Sequence, residues 1–346
     1  MRYLRLTLFT FFLSLTGMQA GDTAAFCKQL KPLGRILETK DWYVWCVAPI
    51  YGPDEKVHVF YSRWPAYKGM GGWISSCEIA HAVADQPEGP YTYVSTVLAP
   101  RPGFWDATTC HNPHIQEIDG TYYLFYMGNN NRKTNSKRIG LAKSNNLYGP
   151  WERSNQPLLE TGAPGSWDDH CTTNPAFLAA PDGSYRLYYK SWNDSAYVNE
   201  KGSIRGNRKY GLALADKPEG PYTRYASNPI IDFSSLGANQ QVEDAYVWYE
   251  EGRYRMLMRD MGFYNHTVGL YFESTDGLYW SKPEIAWLGM DHYRDEPPAP
   301  SHLKRYGRLE RPQLLMKDGK PAYLFNATQG GAYQTASGFV FKIERP

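Results

Sequence analysis

The sequence predicts an all-β fold, a five-bladed β-propeller with about four antiparallel strands per blade. Three observations carry that prediction. The first is an internal repeat: "APIYGPDEKVHVFYSRW", "NPHIQEIDGTYYLFYMG", "NPAFLAAPDGSYRLYYKSW", "DAYVWYEEGRYRMLMRDM" and "RPQLLMKDGKPAYLFNAT" share one shape. They align on Pro49, Pro113, Pro175, Ala245 and Pro312, at spacings of 64, 62, 70 and 67 residues. The second is the turn inside each copy, such as Asp119-Gly120, Asp182-Gly183 or Asp318-Gly319, which joins two apolar or alternating runs as a hairpin. The third is a repeated second half: "IAHAVADQPEGPYTYVSTVL", "IGLAKSNNLYGPWERSNQPLL", "YGLALADKPEGPYTRYASNPII" and "VGLYFESTDGLYWSKPEIAW". Each reads as strand, Gly-Pro or Asp-Gly turn, strand, so every copy supplies a four-stranded blade.

Taken in order, the blades account for almost the whole chain. The fifth copy ends early at "SGFVFKIER", so a strand within residues 27–45 has to complete the last blade and close the ring. Ahead of it, residues 1–20 read as a signal peptide. Arg2 and Arg5 give a basic start, Leu6 to Leu15 is an apolar run too short to span a bilayer, and Ala20 offers a small residue for cleavage. Met18 fits poorly at the third position before that cut. Residues 21–346 are then a single propeller domain, exported to the periplasm or the outside, with no membrane insertion once the signal is removed.

Composition narrows the partners. Basic and acidic residues number 37 and 35, which gives no reason to expect nucleic acid or an anionic membrane. Aromatics form 15% of the chain, with 28 Tyr and 11 Trp; most are strand filler, but such an excess also suits sugar stacking. Five cysteines is an odd number for an exported protein. Cys46, Cys110 and Cys171 stand three, three and four residues before a repeated proline, which suits small buried residues. A bridge from Cys27 to Cys46 or Cys77 is the alternative. Neither a metal nor a cofactor is expected: the cysteine spacings match no zinc pattern, and none argues for a calcium ion, which a channel rich in oxygen ligands could nonetheless hold.

The repeat also locates a site. The second connection of each blade is long: 62–78, 127–138, 191–208, 260–267 and 326–337. Antiparallel geometry puts these loops, the starts of the first strands and the ends of the second strands on one face. The residues before the aligned positions, Ala48, Asn112, Asn174, Asp244 and Arg311, then face the central channel. One step back stand Val47, His111, Thr173, Glu243 and Glu310. A ring of His111, Asn112, Asn174, Glu243, Asp244, Glu310 and Arg311 is too polar to be a closing plug, and its carboxylates suit acid–base work on a glycosidic bond. Arg311 would lower a neighbouring carboxylate's pKa or bind a substrate oxygen. His111 is a second acid–base candidate, since imidazole titrates near neutrality.

The ends of the second strands add Arg63, Trp64, Asn129, Lys190, Trp192, Arg259 and Asp260, with Trp64 and Trp192 as sugar-stacking platforms. Asp106 in "FWDATTCHNP" is a further candidate base, although "SWDDHCTTNP" repeats it as Asp168, as a structural connection between blades would. Asp169 and His170 have no counterpart in that repeat and are read as substrate-binding. His58, His81 and His114 lie in strand interiors and read as structural. Residues 292–308 read as a solvated loop with at most a rim role.

With its "GPW/GPY" outer turns and "DGxYYLFY"-type hairpins, the chain resembles the five-bladed glycoside hydrolases of families 32, 43, 62 and 117, most of all exported members related to families 43 and 117. The resemblance implies an Asp as base or nucleophile, a second Asp two blades on that tunes the acid, and a Glu in the next blade as general acid. On this chain Asp244 takes the tuning place and Glu310 the acid's. The first Asp falls on Asn112, a departure that leaves the base and the stereochemistry open. The expected function is exo-acting hydrolysis of a terminal sugar from a plant or algal oligo- or polysaccharide. A non-catalytic carbohydrate-binding propeller is the alternative, supported by Asn112 and Asn174; a lyase or phosphorylase on the same scaffold is a third.

Overall fold

The computed structural model describes residues 21–199, 206–236 and 240–345. The signal-peptide expectation therefore lies outside the described residues. Five four-stranded antiparallel sheets make a five-bladed propeller. Blade one runs from its inner to its outer strand as Trp42–Tyr51, Val57–Pro65, Glu78–Ala84 and Thr92–Leu98. Blade two is Thr109–Ile118, Thr121–Asn129, Arg138–Ser144 and Glu152–Arg153; blade three is Thr173–Ala179, Tyr185–Ser191, Lys209–Ala215 and Thr223–Arg224. Blade four is Val242–Glu250, Arg253–Asp260, Gly269–Ser274 and Glu284–Trp287. Blade five takes Glu310–Lys317, Lys320–Gly330 and Thr335–Ile343 from the C-terminal part and Leu30–Ile36 as its outer strand. That strand pairs Leu30 with Ile343 and Ile36 with Gly338, closing the ring from within residues 27–45 as the truncated fifth repeat requires.

Local chemistry explains the blades. At Asp119-Gly120, Glu251-Gly252 and Asp318-Gly319 both turn residues have positive φ, the two-residue turn whose twist matches paired strands. The core lies between the faces of neighbouring blades. Phe125 of blade two stacks on Phe177 of blade three with centroids 4.3 Å apart, both fully buried. Truncating either ring would cost roughly 3–5 kcal/mol. The repeated Trp-Asp is an anchor of the same kind. Trp105 stacks on Tyr126 while Asp106 accepts the Tyr126 hydroxyl at 2.8 Å; Trp167, Tyr189 and Asp168 repeat the arrangement, also at 2.8 Å. Gly140 lets Trp105 lie flat on the sheet, for a Cβ there would meet the indole at 2.3 Å.

Three expectations need correction. In the first half of every inner strand the pairing register breaks at a bulge whose first residue has positive φ: Cys46, Asn112, Asn174, Asp244 and Arg311. The channel position of blade one is therefore Cys46 and not Ala48, with Trp45 and not Val47 behind it. In the other four blades Pro or Ala follows the bulge, whereas blade one has Val47 there and Pro49 lies further along the strand. The loop expected at 326–337 is also absent: the strands run to Gly330 and restart at Thr335, leaving a tight turn. Residues 288–309 cover that sector instead, held by a bidentate ion pair from Arg35 to Glu296 at 2.6 and 2.8 Å. Finally, all five cysteines are free buried thiols, so Cys27 bridges neither Cys46 nor Cys77. Cys27 packs near the Tyr293 hydroxyl, while Cys46 sits in the channel.

Candidate active site

The five bulges place five side chains across the channel, and four of them, Asn112, Asn174, Asp244 and Arg311, bond one another. Cys46 Sγ donates to the Pro113 carbonyl at 3.5 Å, and Asn112 Nδ2 donates to Asn174 Oδ1 at 2.9 Å. Asn174 Nδ2 donates to Asp244 Oδ1 at 2.6 Å, and Arg311 Nη1 reaches the same oxygen at 2.6 Å. The remaining void is ≈ 10 Å³. A polar ring can plug a channel when its members bond one another, and here Asn112, Asn174, Asp244 and Arg311 do so, although Asn112 Oδ1, Asp244 Oδ2 and Arg311 Nε keep no partner. Four members of the expected open ring, Asn112, Asn174, Asp244 and Arg311, therefore close the channel, while His111 and Glu243 line open space above it.

Above the plug opens a funnel with a cavity of ≈ 100 Å³. Trp45, Trp73, His111, Met70, Met127, Tyr197 and Trp192 give it an aromatic and apolar wall, and Thr134, Asn112 and Asn174 add polar groups. Among the described residues its charged lining is Lys137, Lys190, Arg208, Arg305 and Arg311 against one carboxylate, Glu243. The channel's other mouth holds a cavity of ≈ 390 Å³ walled mainly by Tyr246, Trp248, Leu314 and other apolar groups. Chemistry is concentrated at the smaller cavity.

The three acids differ in environment. Glu243 is bound by Lys190 Nζ at 2.8 Å, Arg208 Nε at 2.7 Å and Arg259 Nη1 at 3.2 Å. Burial alone would raise its pKa, but these cations override burial and hold it well below the usual carboxylate range. Asp244 is shifted the other way, by burial and by the Glu243 charge against the opposing pull of Arg311. Its Oδ1 takes both ring contacts, and its buried Oδ2 has no partner. Glu310 is fully buried, with Oε2 2.9 Å from Arg259 and 3.0 Å from Arg305. Arg305 lines the funnel and Glu310 does not.

The bases are shifted too. Burial pushes Lys190 down to about 7 despite its pairing with Glu243. Burial also lowers Lys137, with Arg208 and Arg311 adding to it. Burial and then the Arg311 and Lys137 charges hold His111 well below its ordinary value, so the imidazole is neutral.

Of the residues singled out in the sequence, His111, Asn112, Asn174, Lys190, Trp192, Glu243 and Arg311 line the funnel, Asp244 lies in the plug, and Arg259 and Glu310 pack behind. The others are engaged elsewhere. Asp106 is buried against Arg101 at 3.0 Å and Arg153 at 3.1 Å, so it is a blade anchor and not a base in the funnel. Arg63 pairs with Glu78 at 2.8 Å between Trp42 and Tyr93. Trp64 is wholly buried on Tyr43, donating to the Gly69 carbonyl. Trp192 is 1% exposed: His170 stacks on it, and three cations lie within 5.6 Å of its centroid. Neither tryptophan offers a free face, so neither is a sugar platform. Asp260 accepts four backbone N–H groups of its own loop, and Asp169 accepts those of Gly165 and Asp194. His170 bonds Asp194 at 2.7 Å behind Trp192. Asn129 is buried at the base of its loop, bonded to Thr108.

Sequence reasoning missed Trp45, Trp73, Lys137, Arg208 and Arg305. A signal existed for two of them: Lys137 and Arg208 each stand immediately before the third strand of their blade. Trp45 was hidden by the two-residue offset in blade one. Trp73 and Arg305 sit in loops with no repeat to align.

No protein-family model matches the chain, and no curated protein matches it in sequence. Solved structures do match. Zg3597, a family 117 glycoside hydrolase from the marine bacterium Zobellia galactanivorans, superposes with a TM-score of 0.64 at 16% identity over 90% of each chain. The GH43_1 enzyme from Xanthomonas citri, complexed with xylotriose, gives 0.59 at 16% over 90% of each chain. CoXyl43, a GH43 β-xylosidase/α-arabinofuranosidase from a compost microbial metagenome, gives 0.59 at 16%, over 91% of this chain and 93% of that one. At such identities the likeness establishes the fold: the chain shares the five-bladed propeller of family 117 and family 43 glycoside hydrolases.

Proposed function

We propose that this protein is a glycoside hydrolase that removes a terminal sugar from an oligo- or polysaccharide in the funnel over Glu243. The observation that carries the reading is that Glu243 is the one carboxylate lining the funnel among the described residues, directly beside the plug. Glu243 serves as the ionised carboxylate, activating water or attacking the sugar. Asp244, whose pKa burial raises, stands in the plug beside it as the partner acid kept toward its protonated form. Pairs of acids whose surroundings push their pKa values apart are how hydrolases divide the two roles. Glu310, the acid implied by resemblance, becomes the group that fixes Arg259 and Arg305 from behind.

Exo action is supported by the plug, because a blind funnel admits a chain end and not a threaded chain. Half-buried Trp73, tilted against His111, is the platform in place of Trp64 and Trp192. Export to the periplasm or outside, read from residues 1–20, suits a plant or algal polymer too large to enter a cell. One observation favours a second reading, a carbohydrate-binding propeller without catalysis: amides occupy the plug at Asn112 and Asn174.

The test is incubation of the protein with a panel of reducing-end-labelled plant and algal oligosaccharides. Stepwise shortening by one residue, with release of a single monosaccharide, is expected. Internal fragments would overturn the exo mode, and binding with no cleavage would favour the second reading.

A further inference from the structure

The charges around the funnel do not balance. Among the described residues six cationic side chains, Lys137, Lys190, Arg208, Arg259, Arg305 and Arg311, face three acidic ones, Glu243, Asp244 and Glu310, in a largely buried site. Elsewhere partly buried cations each reach a carboxylate: Arg63 has Glu78, Arg224 has Asp168, and Arg101 and Arg153 share Asp106. Lys137 departs from that pattern. It is 4% exposed, and among the described residues no carboxylate or other acceptor pairs with its Nζ. The ammonium lies only over the faces of Trp192 at 4.6 Å and Trp73 at 5.9 Å. Arg208 lies over Trp192 as well, at 5.2 Å.

A buried ammonium without an anion is costly, and like charges around it add to the cost. A fold that needed only rigidity there would carry an apolar residue. The arrangement makes sense when the missing anion arrives with the ligand. Recognition of a neutral sugar calls instead for acceptors as much as donors, and this lining is poor in acceptors.

We propose that the sugar taken into the funnel carries a negative charge, a carboxylate or a sulfate ester, and that Lys137 and Arg208 are its direct partners. The two groups occupy the same place in successive blades, immediately before the third strand, and approach one ring, that of Trp192. Lys137 supplies a point charge and Arg208 a planar fork, both suited to an oxyanion. Arg305, on the 288–309 segment, adds a third cation to the same lining. The inference rests on the sugar-binding part of the reading above and names its substrate class.

The test uses matched pairs: uronate-terminated against neutral hexose-terminated oligosaccharides, and sulfated against desulfated ones. Binding is followed by calorimetry and cleavage by product release. A charged member is expected to bind about tenfold or more tighter than its neutral twin, less so as salt rises. Lys137→Gln should abolish that preference, read as the ratio of charged-sugar to neutral-sugar affinity. Lys137→Met should melt above the wild type, since it removes an unmatched buried charge. Sodium sulfate, against sodium chloride of equal ionic strength, should raise the melting temperature of the wild type and not of Lys137→Gln. Whichever pair shows the preference distinguishes carboxylate from sulfate. Neutral members bound as well as charged ones, or Lys137→Gln without effect, would overturn the proposal. A charged sugar bound but never cleaved would sink the hydrolase reading alone; neutral sugars cleaved and charged ones ignored would sink this inference alone.

Discussion

Lys190 Nζ lies 2.8 Å from Glu243 Oε1, and both side chains are less than a tenth exposed. This is not a surface ion pair that solvent would mask. Lys190 sits at the end of the second strand of blade three and Glu243 at the bulge of blade four, so the pair ties two blades at the funnel floor. Its titration should be visible in function.

Burial brings Lys190 to about 7, and Glu243, Lys137, Arg208 and Asp244 are the charged groups around it. Binding of a charged sugar should be constant below that pH and weaken above it, as the ammonium is lost. Stability moves the other way. Between about 7 and the ordinary lysine value the unfolded chain holds the extra proton, so this group makes the fold more stable as pH rises. Lys190→Arg, which stays charged, should flatten the binding profile. Calorimetry from about pH 6 to about pH 9 checks it; no change in affinity across that range would argue against Lys190 touching the ligand.

On the acid side Glu243 works with the opposite sign. Its folded pKa lies well below that of a free carboxylate, so its contribution is present above about 4.5 and lost as pH falls through the folded value. Glu243→Gln should therefore show a smaller gain in melting temperature than the wild type between about pH 3 and about pH 5. Parallel melting curves over that interval would mean that the three cations do not stabilise the ionised form.

Asp106 and Glu243 look alike as acids preceding a repeated strand, but their partners differ. Asp106 anchors Arg101, Arg153 and Tyr126 away from the funnel. Asp106→Asn should lower stability by roughly 3–5 kcal/mol, as breaking a buried pair does, and leave kcat/KM per folded molecule unchanged. Denaturant melts and kinetics at low temperature separate the two effects. A kcat loss without a stability loss would put Asp106 back among the catalytic groups.

The Arg35–Glu296 pair is 2% and 8% exposed at its side chains and holds residues 288–309 over the funnel. Glu296→Gln should free that segment and with it Arg305. Faster proteolytic nicking between Asp295 and Arg305 is expected, with KM raised more than kcat is lowered. Unchanged cleavage and KM would show that Arg305 is positioned by Glu310 alone.

Most of the fold was legible because a propeller writes itself as a repeat: alternating strands, Asp-Gly turns and Gly-Pro turns recur, and the missing strand of blade five implies Leu30–Ile36. The channel positions of four blades were legible for the same reason. Blade one was misplaced because Pro49 imitates the repeated proline two residues too far along an unbroken strand. Trp64 and Trp192 looked like platforms because sequence shows that a ring is near a site but not which face is covered. The roles of Glu310 and Arg305 depend on residues 288–309 folding inward, held by Arg35 from the other end of the chain. No local pattern records a contact of that range.

The most direct test of the assignment is kcat/KM for Glu243→Gln and Glu310→Gln, each shown by thermal melt to be folded, on whichever oligosaccharide the wild type cleaves. Loss of a catalytic carboxylate should cost Glu243→Gln about 10²–10⁴-fold in kcat, while Glu310→Gln, with Arg259 still held by Glu243, should keep kcat within about tenfold. Full activity in Glu243→Gln, or collapse in Glu310→Gln alone, would contradict the placement of the reacting sugar over Glu243.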